Sequence, residues 1–120
     1  MAKYTAHSAT MDPELAAVVT HLPDREIACD EIEIPASTTV KKGDILACTV
    51  VSGVGTWGVI TSGYSSGKLA VAMEKVDAGA TAVPVAAVAR HAVIALDTSA
   101  GYYVRAKEEF EAQGCKVVAK

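Results

Sequence analysis

Residues 31–51 of this 120-residue chain have the sequence EIEIPASTTVKKGDILACTVV, and this stretch decides the fold class. Its first four residues alternate carboxylate and isoleucine, which is typical of a strand with one solvated and one buried face. Residues 35–38 and 42–44 are turn signals, rich in Pro, Ser, Gly and Asp. The apolar residues 45–51 predict a second, buried strand. Short strands separated by tight turns indicate a β-rich domain.

The composition supports the same interpretation. The chain contains 22 Ala and 16 Val but only 5 Leu, 1 Phe and 1 Trp, and small or β-branched side chains favour layered strands over a bundle of Leu-rich helices. The net charge of −3 offers no basic surplus for phosphates, so we expect no nucleic-acid partner. No apolar run reaches the roughly 18 residues of a membrane helix, so we expect no membrane partner. The length fits one domain.

More strands are predicted downstream. Residues 56–61 and 68–73 are expected to pair as a hairpin, because the polar loop between them has Gly at both ends. The apolar residues 81–96 predict two further strands that are divided at Arg90 and His91. Pro84 places its part of this run at a sheet edge or at a strand start, because proline cannot donate a ladder hydrogen bond.

One C-terminal helix is predicted over residues 100–113, where aromatic and small residues recur at helical spacing opposite a charged face. Asp97, Thr98 or Ser99 is the expected N-cap. Gly114 stands where a left-handed residue ends a helix. A closing strand is predicted at residues 115–118. The predicted fold is therefore mainly β with one C-terminal helix.

Residues 1–25 predict an extended N-terminal arm, and residues 26–120 predict the β-rich domain. The arm has scattered polar residues and two prolines, Pro13 and Pro23, which break regular structure. Its apolar side chains are natural anchors for a partner, because an extended arm can add a strand to a partner's sheet edge. The alternative, that these side chains pack on their own domain, stays open. The predicted anchors are Tyr4, Leu15, Val18, Val19 and Leu22.

No motif in the sequence predicts catalysis or cofactor binding. Residues 53–58 (GVGTWG) match the spacing of a dinucleotide-binding loop, but strand residues follow Gly58 where that loop requires a helix. Cys29, Cys48 and Cys115 are too far apart in sequence for a disulfide framework or a zinc motif. Because no nucleophile, acid and base can be placed together, we expect no enzyme, no metal site and no cofactor.

Three segments resemble the head decoration proteins of tailed bacteriophages: residues 67–79 (GKLAVAMEKVDAG), 83–94 (VPVAAVARHAVI) and 106–118 (AKEEFEAQGCKVV). Together with the KKGD turn, the resemblance spans residues 35–118, and Cys115 departs from it where a larger aliphatic residue is expected. It implies a small β-tulip domain, similar to a β-barrel, that forms a homotrimer. It also implies a place on the outer surface of the virion, after synthesis in the host cytoplasm, where the trimer cements subunits of the major capsid protein.

A carrier domain is the alternative. Residues 40–47 (VKKGDILA) and 72–75 (AMEK) are similar to parts of the biotinyl and lipoyl carrier domains, which are also small β folds. That resemblance implies a modified lysine at a hairpin tip, and Lys75 is the candidate. The chain departs from the family on the far side of this lysine, where Val76 replaces a methionine.

Overall fold

The computed structural model describes residues 13–22 and 28–120 of the chain. It confirms the predicted fold class, since these residues are mainly β with one long helix near the C-terminus. The elements are α1 (Pro13–Ala16), β1 (Val19–His21), β2 (Cys29–Ile34), β3 (Thr39–Val40), β4 (Ile45–Val51), β5 (Val54–Val59), β6 (Leu69–Ala72), β7 (Val76–Asp77), β8 (Val83–Val88), β9 (Val93–Leu96), α2 (Tyr103–Ala112) and β10 (Lys116–Ala119).

The main sheet has five strands in the order β2-β8-β6-β4-β5, and all of its neighbours are antiparallel. Its two edge strands, β2 and β5, are not paired, yet they lie close to each other. The sheet therefore curls towards an open barrel. A two-stranded sheet, β3-β7, packs onto it, because Val40 and Val76 join the same core as Leu46.

The two faces of the main sheet bury different side chains, as the strand period of two requires. One face forms the barrel core, together with β3 and β7. The other face forms the helix-side core, which is covered by α2 and by the sheet β1-β9-β10. The barrel core consists of Ile32, Ile34, Val40, Leu46, Ala70, Ala72, Val76, Ala78, Val85, Ala87 and Ala89. The helix-side core consists of Leu15, Val19, Ile45, Leu69, Val71, Val88, Ala92, Ile94, Leu96, Ala106, Phe110 and Cys115.

Helix α2 connects β9 to β10, and these two strands are parallel neighbours. It buries Ala106 and Phe110 completely, which fits the predicted apolar face. The expected N-cap is wrong: the helix begins after Tyr102, and no side chain caps it. The Asp97 carboxylate instead accepts hydrogen bonds from the backbone N–H and the hydroxyl of Ser99, at 2.9 Å and 2.7 Å. The Asp97 carboxylate therefore accepts its hydrogen bonds within this local turn and does not cap the helix. Gly114 has φ of 93°, as predicted.

The predicted hairpin between residues 56–61 and 68–73 is wrong. Strand β4 lies between β5 and β6, so the two predicted partners never pair. The hairpin is instead β4–β5, closed by a two-residue turn in which Ser52 and Gly53 both have positive φ, 53° and 80°. Two residues with positive φ are the signature of the turn that fits strand twist best. Residues 60–68 then cross to the other side of β4.

Gly67 is required at the end of this crossing. Its φ is +115°, and an added Cβ would lie 2.2 Å from the carbonyl oxygen of Cys48. The close approach lets the Cys48 N–H donate to the Lys68 carbonyl at 2.9 Å, which starts the pairing of β6 with β4. No other residue avoids both the strain and the clash.

Residues 13–22 belong to the folded domain. Strand β1 pairs with β9 in the second sheet, and Leu15 and Val19 are 5% and 0% exposed. Although the sequence placed the boundary between arm and domain after residue 25, this part of the predicted arm contributes a strand and two core residues. Residues 1–12 and 23–27 lie outside the described residues.

Candidate functional site

The structure divides the five predicted arm anchors. Leu15 and Val19 are buried in the helix-side core, and Val18 and Leu22 are half-buried against the same core. The sequence left open whether these side chains bind a partner or pack on their own domain, and in the structure these four pack on their own domain. Tyr4 lies outside the described residues. Leu15, Val18, Val19 and Leu22 therefore contribute to the helix-side core.

The motifs that resemble binding loops lie in regular strand. Residues 54–58 of the GVGTWG segment lie in β5, and the residues that follow this strand directly form a turn and not a helix. Lys75 is exposed, but it connects β6 to β7, which pair with different strands. It is therefore not at a hairpin tip, and this placement does not favour the carrier alternative. In residues 13–22 and 28–120, no three His, Cys, Asp or Glu side chains are grouped to hold a metal ion.

A cavity of about 160 Å³ opens between the sheet edges near Trp57, Asp30 and Lys68. Two of the polar side chains that line it pair with each other, since Arg90 forms an ion pair with Asp30. The Gln113 side chain also lines it, and this amide accepts from the Leu69 N–H at 2.8 Å. The same amide donates to the carbonyls of Leu69 and Ala89 at 2.8 Å and 2.6 Å. These three hydrogen bonds of Gln113, which we name the brace, join the end of α2 to the sheet.

Burial shapes the titration of two groups in the helix-side core. Burial, and secondly the negative charge of Glu109, raises the pKa of Tyr64 to about 12. The Tyr64 hydroxyl donates to the Gly67 carbonyl, a hydrogen bond within the 60–68 crossing. Burial also raises the pKa of the Cys115 thiol, so this thiol stays protonated and unreactive at neutral pH. Neither group is placed for acid–base chemistry.

The most exposed apolar surface is the end of the β4–β5 hairpin, residues 49–56, which we name the hairpin tip. Val50, Val51 and Val54 are 66%, 66% and 65% exposed. The cause is the length of the neighbouring strand: β6 pairs only with Ile45–Ala47 of β4. Beyond this point no described strand lies beside β4 on the side opposite β5, and side chains on both faces of the hairpin are exposed. The prediction that residues 45–51 form a buried strand is thus correct for its first half only.

The hairpin tip also lacks charge. No Asp, Glu, Lys, Arg or His occurs from Ile45 to Gly67, although charged residues make up 21% of the chain. A shallow groove of about 450 Å³ follows one face of the hairpin, lined by residues that include Thr49, Val51 and Tyr64. The charge-free run was visible in the sequence and could have marked this surface. The exposure was not visible, because it depends on where β6 ends.

Comparison with known proteins identifies no relative: no family model, no curated protein and no solved structure matches this chain. No helix in the described residues is long and apolar enough to cross a membrane. The function must therefore be argued from the domain itself and from the resemblance of its segments.

Proposed function

We propose that this chain is a capsid decoration protein that binds the outside of an expanded phage head and cements subunits of the major capsid protein. The proposal retains the resemblance of residues 67–79, 83–94 and 106–118, and adds to it the way in which these segments fold. In this proposal the protein acts as a homotrimer and performs no catalysis.

The observation that carries the proposal is that the three resembling segments form one connected unit. The first contains β6, the second contains β8, and these strands are neighbours in the main sheet. The third contains most of α2 and the start of β10, which is the parallel neighbour of β9. Gln113 from the third segment hydrogen-bonds Leu69 and Ala89 of the other two. Segments that resemble one family thus make a single structural unit, as a shared fold requires.

An exposed neutral surface also supports a role in assembly. Natural proteins usually protect the edges of sheets with charges, prolines or short strands. Strand β5 is an edge strand without charge, and its first residues are exposed together with Val50 and Val51. Contiguous exposed apolar surfaces mark protein–protein or membrane interaction sites and ligand-binding grooves. A cement protein needs such surfaces, because it must hold itself and the shell together.

The structure changes which residues are available for the capsid. Since Leu15 and Val19 are core residues, a capsid contact by the N-terminus falls to residues 1–12, with Tyr4 as the apolar anchor. Anything that binds only the assembled shell stabilises that shell by mass action. The capsid contact is therefore expected to raise the melting temperature of the shell.

Binding to expanded capsids that lack this protein tests the proposal. Full-length protein should bind such capsids and raise their melting temperature, while a chain lacking residues 1–12 should bind at least about tenfold more weakly. The deletion ends before Pro13 so that the helix-side core keeps Leu15 and Val19. The control is the thermal unfolding of the free proteins, which should be the same with and without residues 1–12.

Two results would contradict the proposal in different ways. If full-length protein leaves the capsids unbound and their melting unchanged, the decoration function is wrong. If the shortened chain binds as well as the full chain, the function stands and the contact by residues 1–12 is wrong. A Tyr4→Ala chain then separates an apolar anchor from a contact made by the backbone alone.

A further inference from the structure

We infer that the hairpin tip is the surface through which copies of this chain associate, with Val50, Val51 and Val54 packed against a second copy around the trimer axis. This inference rests on the proposed function for the expectation of a trimer. It assigns that contact to residues 49–56, which neither the sequence motifs nor the N-terminal anchors indicated.

The tip has no cover within the described residues of its own chain. On β4, pairing with β6 ends at Ala47, and only the Cys48 N–H still reaches across to Lys68. From Thr49 to Thr56, every residue is exposed, whichever face of the hairpin it lies on. Val51 and Val54 are cross-strand partners, but beyond such pairs the β-branched residues of this uncovered hairpin contribute little packing to the monomer, because their side chains meet water.

The lack of charge favours a second copy as the occupant. The chain carries a net charge of −3, so two copies repel each other across most of their surface. The run from Ile45 to Gly67 is free of charge, so two copies can meet there without like-charge contact or buried ions. A neutral apolar surface is complementary to itself, whereas an oppositely charged partner would find no group here to recognise.

The opposite edge of the sheet shows the contrast. Strand β2 carries Asp30, Glu31 and Glu33, which are solvent-accessible along its length. Carboxylates on an edge strand discourage further pairing, because burying them unpaired is costly. Further copies are therefore not expected to add to β2, so association through the hairpin tip does not extend into a growing sheet.

The size of the tip fits a ring better than an isolated pair. A stable interface takes roughly 20 to 30 residues from each partner, whereas the tip has eight residues, Thr49 to Thr56. One contact of this size is weak. In a ring each copy makes two contacts, and the second forms at high effective concentration. The small tip is thus compatible with a trimer whose contacts converge on one axis.

Site-specific photo-crosslinking identifies the occupant directly. A benzoylphenylalanine placed at position 51 should yield adducts of the chain with itself, in free protein at high concentration or on capsids. The matched control places the same group at position 104, because Val104 is similarly exposed, 63%, but lies on α2. A second change, Val50→Asp, should lower the self-adduct yield from position 51 at least about tenfold, because it buries a charge at the contact. Val104→Asp should leave that yield unchanged.

Each other outcome overturns the inference. Adducts from position 51 with the major capsid protein alone would make the tip a capsid contact, while the decoration function would stand. Equal self-adduct yields from positions 51 and 104 would mean that collision, and not a specific surface, joins the chains. Absence of adducts in both samples would leave the tip without an occupant. Failure of the proposed function is a separate result: strong self-adducts from position 51 with no binding to capsids.

Discussion

Strand β4 begins in the buried interior and ends in solvent, and the comparison of its two halves shows how a neighbouring strand determines burial. Ile45 and Leu46 are 9% and 0% exposed, whereas Val50 and Val51 are each 66% exposed. Both halves lack charge, and the outer half, Thr49 to Val51, is the richer in β-branched residues that favour strand. The two halves differ in exposure because β6 lies beside the first half only.

The inner half of β4 packs against one core on each face of the sheet. Ile45 points into the helix-side core with Phe110, and Leu46 points into the barrel core with Ile34. The outer half has only β5 beside it, and that strand is equally exposed near the turn, with Val54 at 65%. Similar side chains therefore stabilise the fold at one end of the strand and are free for association at the other.

The largest effect on stability should come from the helix-side core. Phe110→Ala should lower the free energy of unfolding by about 3–5 kcal/mol, because a fully buried aromatic side chain leaves a cavity. Phe110 lies on the buried face of α2 and is 0% exposed. Denaturant unfolding followed by circular dichroism measures this change. A loss below about 1 kcal/mol would mean that α2 does not seal the helix-side core.

The two halves of β4 can be compared within one strand. Leu46→Ala should lower the free energy of unfolding by about 2–5 kcal/mol, and Val51→Ala should change it by no more than about 0.5 kcal/mol. The first residue is fully buried and the second is 66% exposed. Chemical denaturation at a concentration where the protein is monomeric checks both. Equal losses for the two variants would contradict the division of the strand.

A smaller effect is expected at the brace that joins α2 to the sheet. Gln113→Ala should lower the free energy of unfolding by about 1–3 kcal/mol, because it removes the three hydrogen bonds that this amide makes with the backbone of Leu69 and Ala89. The matched control is Glu111→Ala, which removes only an exposed ion pair with Lys107 at 3.6 Å. That change should cost at most about 0.5 kcal/mol. If the control costs as much, the brace has no special role.

The sequence predicted the elements whose signals are local. The alternation at residues 31–34 correctly gives β2, with Ile32 and Ile34 buried. Helix α2 and Gly114 follow from helical spacing and from the need for positive φ. The pairing order was wrong, because the two-residue turn at Ser52 uses a serine with φ of 53°, which is uncommon for this residue.

The candidate site was harder to predict, because burial depends on distant partners. Leu15 and Val19 look like anchors of an arm until β9 is found beside β1. Val50 and Val51 look like core residues until β6 is found to stop short of them. Local periodicity carries neither fact. Absence of charge over residues 45–67 was the one sequence signal for the hairpin tip.

Tyr64 packs against the helix-side core and also lines the groove beside the hairpin. Its titration should give the smallest of the expected effects. The side chain packs against the helix-side core, and its pKa is raised to about 12, chiefly by burial. An unfolded tyrosine titrates near about 10, so between these values the unfolded chain loses a proton that the folded chain keeps. The stability that this group contributes is complete below pH 10 and is lost as the pH rises towards 12. Tyrosinate absorbance of the native protein should therefore contain a late component that Tyr64→Phe reduces. Burial also raises the pKa of Tyr102, so Tyr102→Phe is measured alongside, and only the double variant should lose the late component of both side chains. If Tyr64→Phe leaves the late component as large as before, Tyr64 is open to solvent, and the helix-side core ends further from the hairpin tip than the structure indicates.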